Sequence, residues 1–171
     1  MYQILSSLSK IIPSAHKRAA AFTVSRMLAT DQSQPHLEIC ARHLLSCLHD
    51  KFLQVQDSAL GSEPESSQPF ILTPSTAVSA LGTLVANMDP HPASISRLLS
   101  PIVLQLYSLL HHLDKIKTSD PGFRESLHGL LITWGKIVEG SEGLDCLWSI
   151  YQTEEIYWKV DVTGDIQRVH R

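Results

Sequence analysis

The chain is poor in cysteine and aromatic residues and has no excess of basic charge. Its three cysteines are too few for the disulfide framework of a small secreted domain, so we interpret them as reduced thiols inside the cell. Fourteen Lys and Arg against seventeen Asp and Glu give a net charge of -3, which argues against a nucleic-acid-binding module. The 171 residues, 43% of them hydrophobic, are enough for one domain with a buried core.

A long uninterrupted apolar run is also missing. The most apolar region, Ile102 to Leu113, is broken by Gln105, Ser108 and two histidines. It is much shorter than the roughly 20 residues that cross a bilayer. We therefore predict no transmembrane helix.

The first thirty residues are basic before any acid appears, with Lys10, Lys17, Arg18 and Arg26 among frequent Ser and Ala. We interpret this segment as amphipathic helices with a solvated basic face. The same composition also fits a cleaved mitochondrial presequence, so a mitochondrially targeted helical protein remains an alternative.

Alternation of polar and apolar residues with a period of two is almost absent, whereas apolar residues recur at steps of three and four. This pattern predicts an all-α protein. The broadest stripe, Leu98 to Leu113, favours a helix buried on more than one side. The other stripes are Leu37 to Val55, Val78 to Met88, Phe123 to Val138 and Leu144 to Tyr151.

A capping side chain directly precedes a proline at Thr73-Pro74, Ser100-Pro101 and Asp120-Pro121. This pair is typical of a helix start, where the first backbone N–H groups have no partner within the helix. The side-chain oxygen accepts a hydrogen bond from one of these N–H groups, and proline has no N–H that needs a partner. Thr73 and Asp120 are 47 residues apart with two predicted helices between them. That spacing matches one unit of a HEAT or armadillo α-solenoid.

Composition divides the chain into four segments. Residues 1–57 and 74–152 are predicted helical hairpins, and the intervening 58–73 is rich in Gly, Pro and Ser and predicts a flexible loop. Residues 153–171 are predicted as an irregular tail. Their β-branched residues around Thr163-Gly164 leave a short strand pair or disorder open as descriptions of this tail.

Acidic residues dominate the last quarter of the chain, where Lys159 is a rare base. We interpret this charge as solvated surface, with an electrostatic docking patch as the alternative. The acidic residues are Glu139, Glu142, Asp145, Glu154, Glu155, Asp161 and Asp165.

The best metal candidate is Cys40, His43 and Cys47, whose spacing of three and four residues places them on one side of a helix. A fourth ligand is missing from the pattern, and the two cysteines also belong to an apolar stripe. We therefore predict core packing and no metal or cofactor site. A compact helical bundle with a metal site at these residues is the alternative.

Motifs of catalysis are missing as well. His111, His112 and Asp114 point in different directions on a helix and fit a helix end better than a catalytic pair. A phosphate-binding loop is excluded at Gly135-Lys136 because Ile137 stands where Ser or Thr is required. We predict no catalytic residue and no enzyme.

The aromatic residues of the second half are spaced like packing positions between helices, and an aromatic groove for peptides is the alternative. These residues are Trp134, Trp148, Tyr151, Tyr157 and Trp158.

The stretch from Leu98 to Gly140 resembles the HEAT-repeat family of transport and Golgi organization protein six, which in fungi includes the factor for RNA polymerase II assembly and nuclear import. The matching features are Leu99-Ser100-Pro101 at the start of a leucine-rich helix, the connection Lys117 to Pro121, and a helix containing Leu130, Leu131 and Trp134. Lys10 to Ala29 is similar to a generic HEAT pair. The resemblance covers about half of the chain.

The resemblance implies an α-solenoid (HEAT/armadillo-like) without catalytic residues, which acts as a protein-binding adaptor in protein transport or in RNA polymerase II assembly and nuclear import. No site residues carry over from it. Its implied partners are RNA polymerase II subunits or transport machinery, and its implied location is the cytoplasm with shuttling to the nucleus. Members of the family are several times longer, so we expect this chain to be a fragment that packs against further repeats.

Overall fold

The computed structural model describes residues 4, 8, 13–29, 35–49, 72–88, 92–116, 120–152, 156–161 and 166–169. Most of these residues are helical, which confirms the predicted helical class. The helices are α1 (Ser14–Ala29), α2 (Pro35–Leu45), α3 (Pro74–Asn87), α4 (Pro92–Leu99), α5 (Val103–Lys115), α6 (Pro121–Ile137) and α7 (Gly140–Gln152). A 3₁₀ turn, Ser100–Ile102, joins α4 to α5, and strands β1 (Tyr157–Val160) and β2 (Ile166–Val169) follow α7.

Two of the three predicted helix starts are confirmed. The Thr73 hydroxyl oxygen accepts from the backbone N–H of Thr76 at 3.4 Å, and Pro74 is the first residue of α3. At α6, the Asp120 carboxylate accepts from the N–H of Gly122 at 2.9 Å. Both caps satisfy N–H groups that have no partner within the helix.

The third start, at Ser100-Pro101, is wrong. Ser100 opens the 3₁₀ turn that links α4 and α5, so the motif lies inside a helical run from Pro92 to Lys115. Proline lacks the N–H that an α-helix needs at this point, and its ring crowds the preceding turn. The α-helical geometry is interrupted here, since Ile102 has φ -118° and ψ 3°, and we call this interruption the bend. A local sequence pattern cannot distinguish it from a helix start.

This run is the one candidate membrane span among the described residues, because its 24 residues are apolar enough by length and composition. Core helices of water-soluble proteins have the same features, so length and composition are weak evidence. Leu98, Leu99 and Ile102 are completely buried, and α4 and α5 both pack against α6. More than half of the apolar window is covered by the chain itself.

Helix α3 lies at the centre of the packing and contacts α1, α2, α6 and β2. Its buried positions include Ala77 and Ala80, whose short side chains allow neighbouring helices to approach closely. Leu81 and Leu84 fill the space between these neighbours and are completely buried. Burial of one leucine stabilises the fold by about 1.5–3 kcal/mol, so this seam joins the amino-terminal helices firmly to the later ones.

A chain of hydrogen bonds crosses the bend. The Trp134 indole N–H donates to Ser100 Oγ at 2.9 Å, and the hydroxyls of Ser100 and Ser96 lie 3.2 Å apart. Ser96 Oγ then donates to the Glu142 carboxylate at 2.9 Å. With Ser100 as donor to Ser96, each hydroxyl accepts one bond and donates one, so the bend is tied to both α6 and α7.

The carboxyl-terminal segment is not irregular throughout, as residues 157–160 and 166–169 form an antiparallel strand pair. Trp158 is buried beneath this hairpin, and its indole N–H donates to Ser108 Oγ at 3.2 Å. Ser108 in turn donates to the carbonyl of Ile156 at 3.0 Å. The hairpin contacts α5 and α3, and Arg168 donates to the carbonyl of Leu48 at 3.5 Å. The sequence left a strand pair and disorder open for this segment, and the packing of Trp158 favours the strand pair.

Two predictions fall largely outside the described residues. The loop predicted at 58–73 is described only at Leu72, which is buried, and at the cap residue Thr73. Of the first twelve residues, only Ile4 and Leu8 are described, so the presequence alternative stays a prediction.

Ser100→Ala should lower the free energy of unfolding by about 1–3 kcal/mol, because the buried Trp134 N–H loses its acceptor. Urea denaturation followed by circular dichroism measures this change. Ser79→Ala is the matched control, since Ser79 is an exposed helical serine on α3, and its change should stay within about 0.5 kcal/mol. Equal stability of the two variants would contradict a structural role for the hydrogen-bond chain.

Candidate functional site

An exposed apolar stripe on α7 is the most unusual surface of the described residues. It consists of Leu144, Leu147, Trp148 and Tyr151, which are 69%, 56%, 59% and 80% exposed. Their spacing of three, four and seven residues places all four on one side of the helix. We call these four residues the α7 face. Large apolar side chains grouped in this way mark a binding surface more often than scattered ones do.

The two aromatic residues of the α7 face stack on each other. The ring centroids of Trp148 and Tyr151 lie 5.5 Å apart with an angle of 29° between the ring planes. Stacking restricts the rotation of both rings, so a partner that binds here loses less side-chain entropy on contact.

Acidic residues occur in and just before α7. Glu139 and Asp145 are exposed, whereas Glu142 is half-buried and accepts the hydrogen bond from Ser96. These three predicted acidic residues therefore differ in role. Glu142 forms a hydrogen bond within the fold, whereas Glu139 and Asp145 are exposed to solvent. Exposed carboxylates close in sequence to an apolar stripe favour partners that carry basic residues beside an apolar surface.

The inward side of α7 packs differently. Gly143 is buried, and a Cβ atom at this position would lie 3.3 Å from Cγ1 of Val138. Cys146 and Ile150 are half-buried against the core, and α7 contacts α5. The inward side thus anchors the helix and leaves the α7 face directed outward.

The structure does not bring Cys40, His43 and Cys47 together as a metal site. Helix α2 ends at Leu45, so Cys47 lies in the following turn, where its thiol donates to the carbonyl of Leu44 at 3.8 Å. No group of three or more His, Cys, Asp or Glu side chains is arranged to hold a metal ion in the described parts of the chain.

The protonation of these three residues reflects their burial. Burial raises the pKa of the Cys40 thiol to about 12 and that of Cys47 to about 12. Burial also lowers the pKa of His43. Both thiols are therefore protonated at neutral pH, as expected for cysteines that pack in a core.

His111, His112 and Asp114, whose spacing on the helix does not fit a catalytic set, lie in two environments. Asp114 forms an ion pair with Arg124 of α6. Both histidines line a cavity between α5, α7 and β1. The carboxylate therefore does not orient either imidazole ring, and this set lacks the arrangement of an acid–base pair.

The aromatic residues fall into two groups. Trp134 and Trp158 are buried with bonded indole N–H groups, as packing residues are expected to be. Trp148, Tyr151 and Tyr157 are exposed. Sequence periodicity predicts which residues share one side of a helix, but it does not predict whether another element covers that side. It therefore cannot separate the buried aromatic residues from the exposed ones.

Comparison with models of protein families, with curated proteins and with solved structures finds no match to this chain.

The thiols should differ in reactivity. At pH 8, a pKa of about 12 leaves roughly one Cys40 or Cys47 thiol in ten thousand ionised, so iodoacetamide should not label them in the folded protein. Cys146 is the internal control for the fully buried Cys40, because it is only half-buried and should react before Cys40 even though burial, Glu142 and Asp145 raise its pKa as well. Mass spectrometry of peptides after timed labelling measures each rate. Rapid labelling of native Cys40, or stoichiometric zinc in the purified protein, would contradict the core interpretation.

Ser108→Ala should loosen the strand pair, because Trp158 loses its acceptor and Ile156 loses a donor. Hydrogen–deuterium exchange of residues 156–169 should become faster, while exchange in α3 stays the same. Ser149→Ala on α7 is a matched control, since Ser149 is exposed and its hydroxyl donates to the Asp145 carbonyl of the preceding turn of the same helix. Unchanged exchange in the Ser108 variant would mean that the hairpin is held by apolar packing alone.

Proposed function

We propose that this chain is a non-enzymatic protein-binding scaffold and that the α7 face is its docking surface. The observation that carries the proposal is the grouping of four large, exposed apolar side chains on one side of α7. Their exposure is costly in water, and a partner that covers them gains roughly 25 cal/mol for each square ångström buried. The proposed occupant is an amphipathic helix of another protein.

The geometry of the stripe supports a helical occupant. Residues at positions i, i+3, i+4 and i+7 form the ridge that packs into the groove of a second helix. Leu144 and Leu147 supply aliphatic contact, and the stacked pair Trp148 and Tyr151 supplies the large aromatic area typical of energetic hot spots.

Charge supports a basic partner. Glu139 and Asp145 are exposed just before and within α7, and a Lys or Arg on the partner would pair with a carboxylate there. Rim charges accelerate association more than they tighten the complex. The partner class is therefore a helix with apolar residues along one side and basic residues next to them.

The pairs of helices that contact one another support an α-solenoid arrangement for this scaffold. If the bent run from Pro92 to Lys115 is counted as one helix, then α1 packs on α3, α3 packs on α6, and α5 packs on α7. Contacts between helices two positions apart are typical of two-layer HEAT stacks. The unit of 47 residues from Thr73 to Asp120 contains α3 and the bent run, as expected for one repeat.

The resemblance of Leu98 to Gly140 to the family of transport and Golgi organization protein six gives the proposal a cellular context. By that resemblance, the partners are RNA polymerase II subunits or components of protein transport, met in the cytoplasm or during nuclear import. The scaffold would then present the α7 face beside further repeats of a longer chain.

The test compares the proteins retained by three tagged versions of the chain in quantitative affinity purification. Leu147→Glu/Trp148→Glu places charge in the centre of the α7 face and should remove most helix-mediated partners, with at least a tenfold loss of signal. Ile132→Glu is the matched control, because Ile132 is 54% exposed on α6 and lies outside the face. Both variants should unfold at the temperature of the unaltered chain.

Each result has a distinct meaning. Loss of polymerase or transport components only in the α7 variant supports the proposal. Equal retention by all three versions would exclude the α7 face, and recovery of mitochondrial matrix proteins with a shortened amino terminus would favour the presequence alternative. Light scattering detects self-association, and a dimer that the α7 variant abolishes would make a second copy of this chain the occupant.

A further inference from the structure

A cavity of about 380 Å³ lies between α5, the end of α7 and β1, on a different side of α7 from the docking surface. Its volume is within the range of small-molecule sites. One side of α5 forms its longest wall, from Leu104 through Tyr107 and His111 to Lys115. These positions repeat at three or four residues, so they follow one line along the helix.

The wall changes in character along this line. At one end, Leu104 is apolar, and Ile150, Ile156 and Trp158 contribute further apolar lining from α7 and the hairpin segment. At the other end, Lys115 brings an ammonium group and His111 an imidazole ring, and both side chains are exposed to solvent. The cavity therefore has an apolar part and a cationic part about three helical turns apart along α5.

We propose that this cavity binds a small organic anion with a flat apolar body, with the anionic group at Lys115 and His111. The apolar body lies against the half-buried Ile150 and Ile156 and the exposed rings of Tyr107 and Tyr157. Recognition thus combines one charged contact with burial of a planar hydrocarbon surface, as in an aromatic carboxylate.

Trp158 is held in place at the cavity. Its indole N–H donates to Ser108 Oγ, and the residue is only 5% exposed, so it supports the lining and offers little free surface to a ligand. Tyr107 and Tyr157 are exposed at the opening, where they border the ligand path.

Lys115 supplies the positive charge at the cationic end. Burial lowers the pKa of His112, and the nearby positive groups Lys115 and His111 lower it further. The carbonyl end of α5 contributes about half a negative charge at the same place, which the ammonium group of Lys115 exceeds. An anion that reaches this end meets this ammonium group.

Lys115 and His112 also have a purely structural explanation. Lys and His near a helix end interact favourably with its last carbonyls, and that alone would account for Lys115 and His112 on α5. Helix α6 also has a lysine, Lys136, in its last turn, yet Lys136 lines no part of this cavity. The comparison between these two lysines isolates the effect of the cavity from that of the helix end.

The experiment measures binding of 2-naphthoate to the full chain by isothermal titration calorimetry at low salt. The matched neutral probe is 2-naphthalenemethanol, which has the same ring system and no charge. We expect 1:1 binding of the anion with a Kd below about 1 mM and at least fivefold weaker binding of the neutral probe.

Three variants locate the site. Lys115→Gln should weaken naphthoate binding about fivefold to tenfold without altering the neutral probe, and Lys136→Gln should change neither. Leu104→Trp should fill the apolar end and remove both ligands. Circular dichroism confirms that each variant is folded before binding is measured.

The proposal is overturned by any of three results. Absence of saturable naphthoate binding excludes the site, and equal affinity for the two probes excludes an anion preference. Equal weakening by Lys115→Gln and Lys136→Gln would mean that the anion responds to net charge and not to this cavity. These readouts do not depend on the α7 face, so failure of the scaffold proposal leaves them unaffected.

Discussion

The hydrogen-bond chain at the Ser100-Pro101 bend connects the elements of the second half of the chain. Helices α4 and α5 meet at this bend and both pack against α6, and α5 also contacts α7 and β1. Trp134 of α6 donates to Ser100, and Ser96 of α4 donates to Glu142 of α7. These bonds link the bend to both α6 and α7, and the cavity lies where α5, α7 and β1 meet.

The hairpin depends on the same arrangement and in turn connects parts of the chain that are distant in sequence. Its buried Trp158 donates its indole N–H to the Ser108 hydroxyl of α5, the helix that follows the bend. On the other strand, Arg168 reaches the Leu48 carbonyl, and β2 contacts α3. The amino-terminal and carboxyl-terminal helices are thus joined through α3 and through the hairpin, so the two predicted helical segments share one packed core.

Local chemistry in the sequence is sufficient for much of the fold. Thr73 and Asp120 cap helices because their side chains act within three residues, and the helical stripes appear where the 3.6-residue period predicts them. Ser100 carries the same local signal and yet lies in a bend, since burial on both sides of it keeps the helical run intact. The strand pair and the cavity depend on contacts between Ser108 and Trp158, which are 50 residues apart, and no local pattern contains that information.

The two sides of α7 show why the candidate sites are independent. At about 100° per residue, the centre of the α7 face is roughly 120° from the line through Gly143, Cys146 and Ile150. The α7 face is apolar and exposed. The other side packs against the core, and its Ile150 forms part of the cavity wall. A helix bound to the α7 face would therefore leave the cavity open, and a ligand in the cavity would leave the face unchanged. Coupling between them would require α7 to shift as a unit, and the Glu142 bond to Ser96 and the close approach of Gly143 to Val138 oppose such a shift.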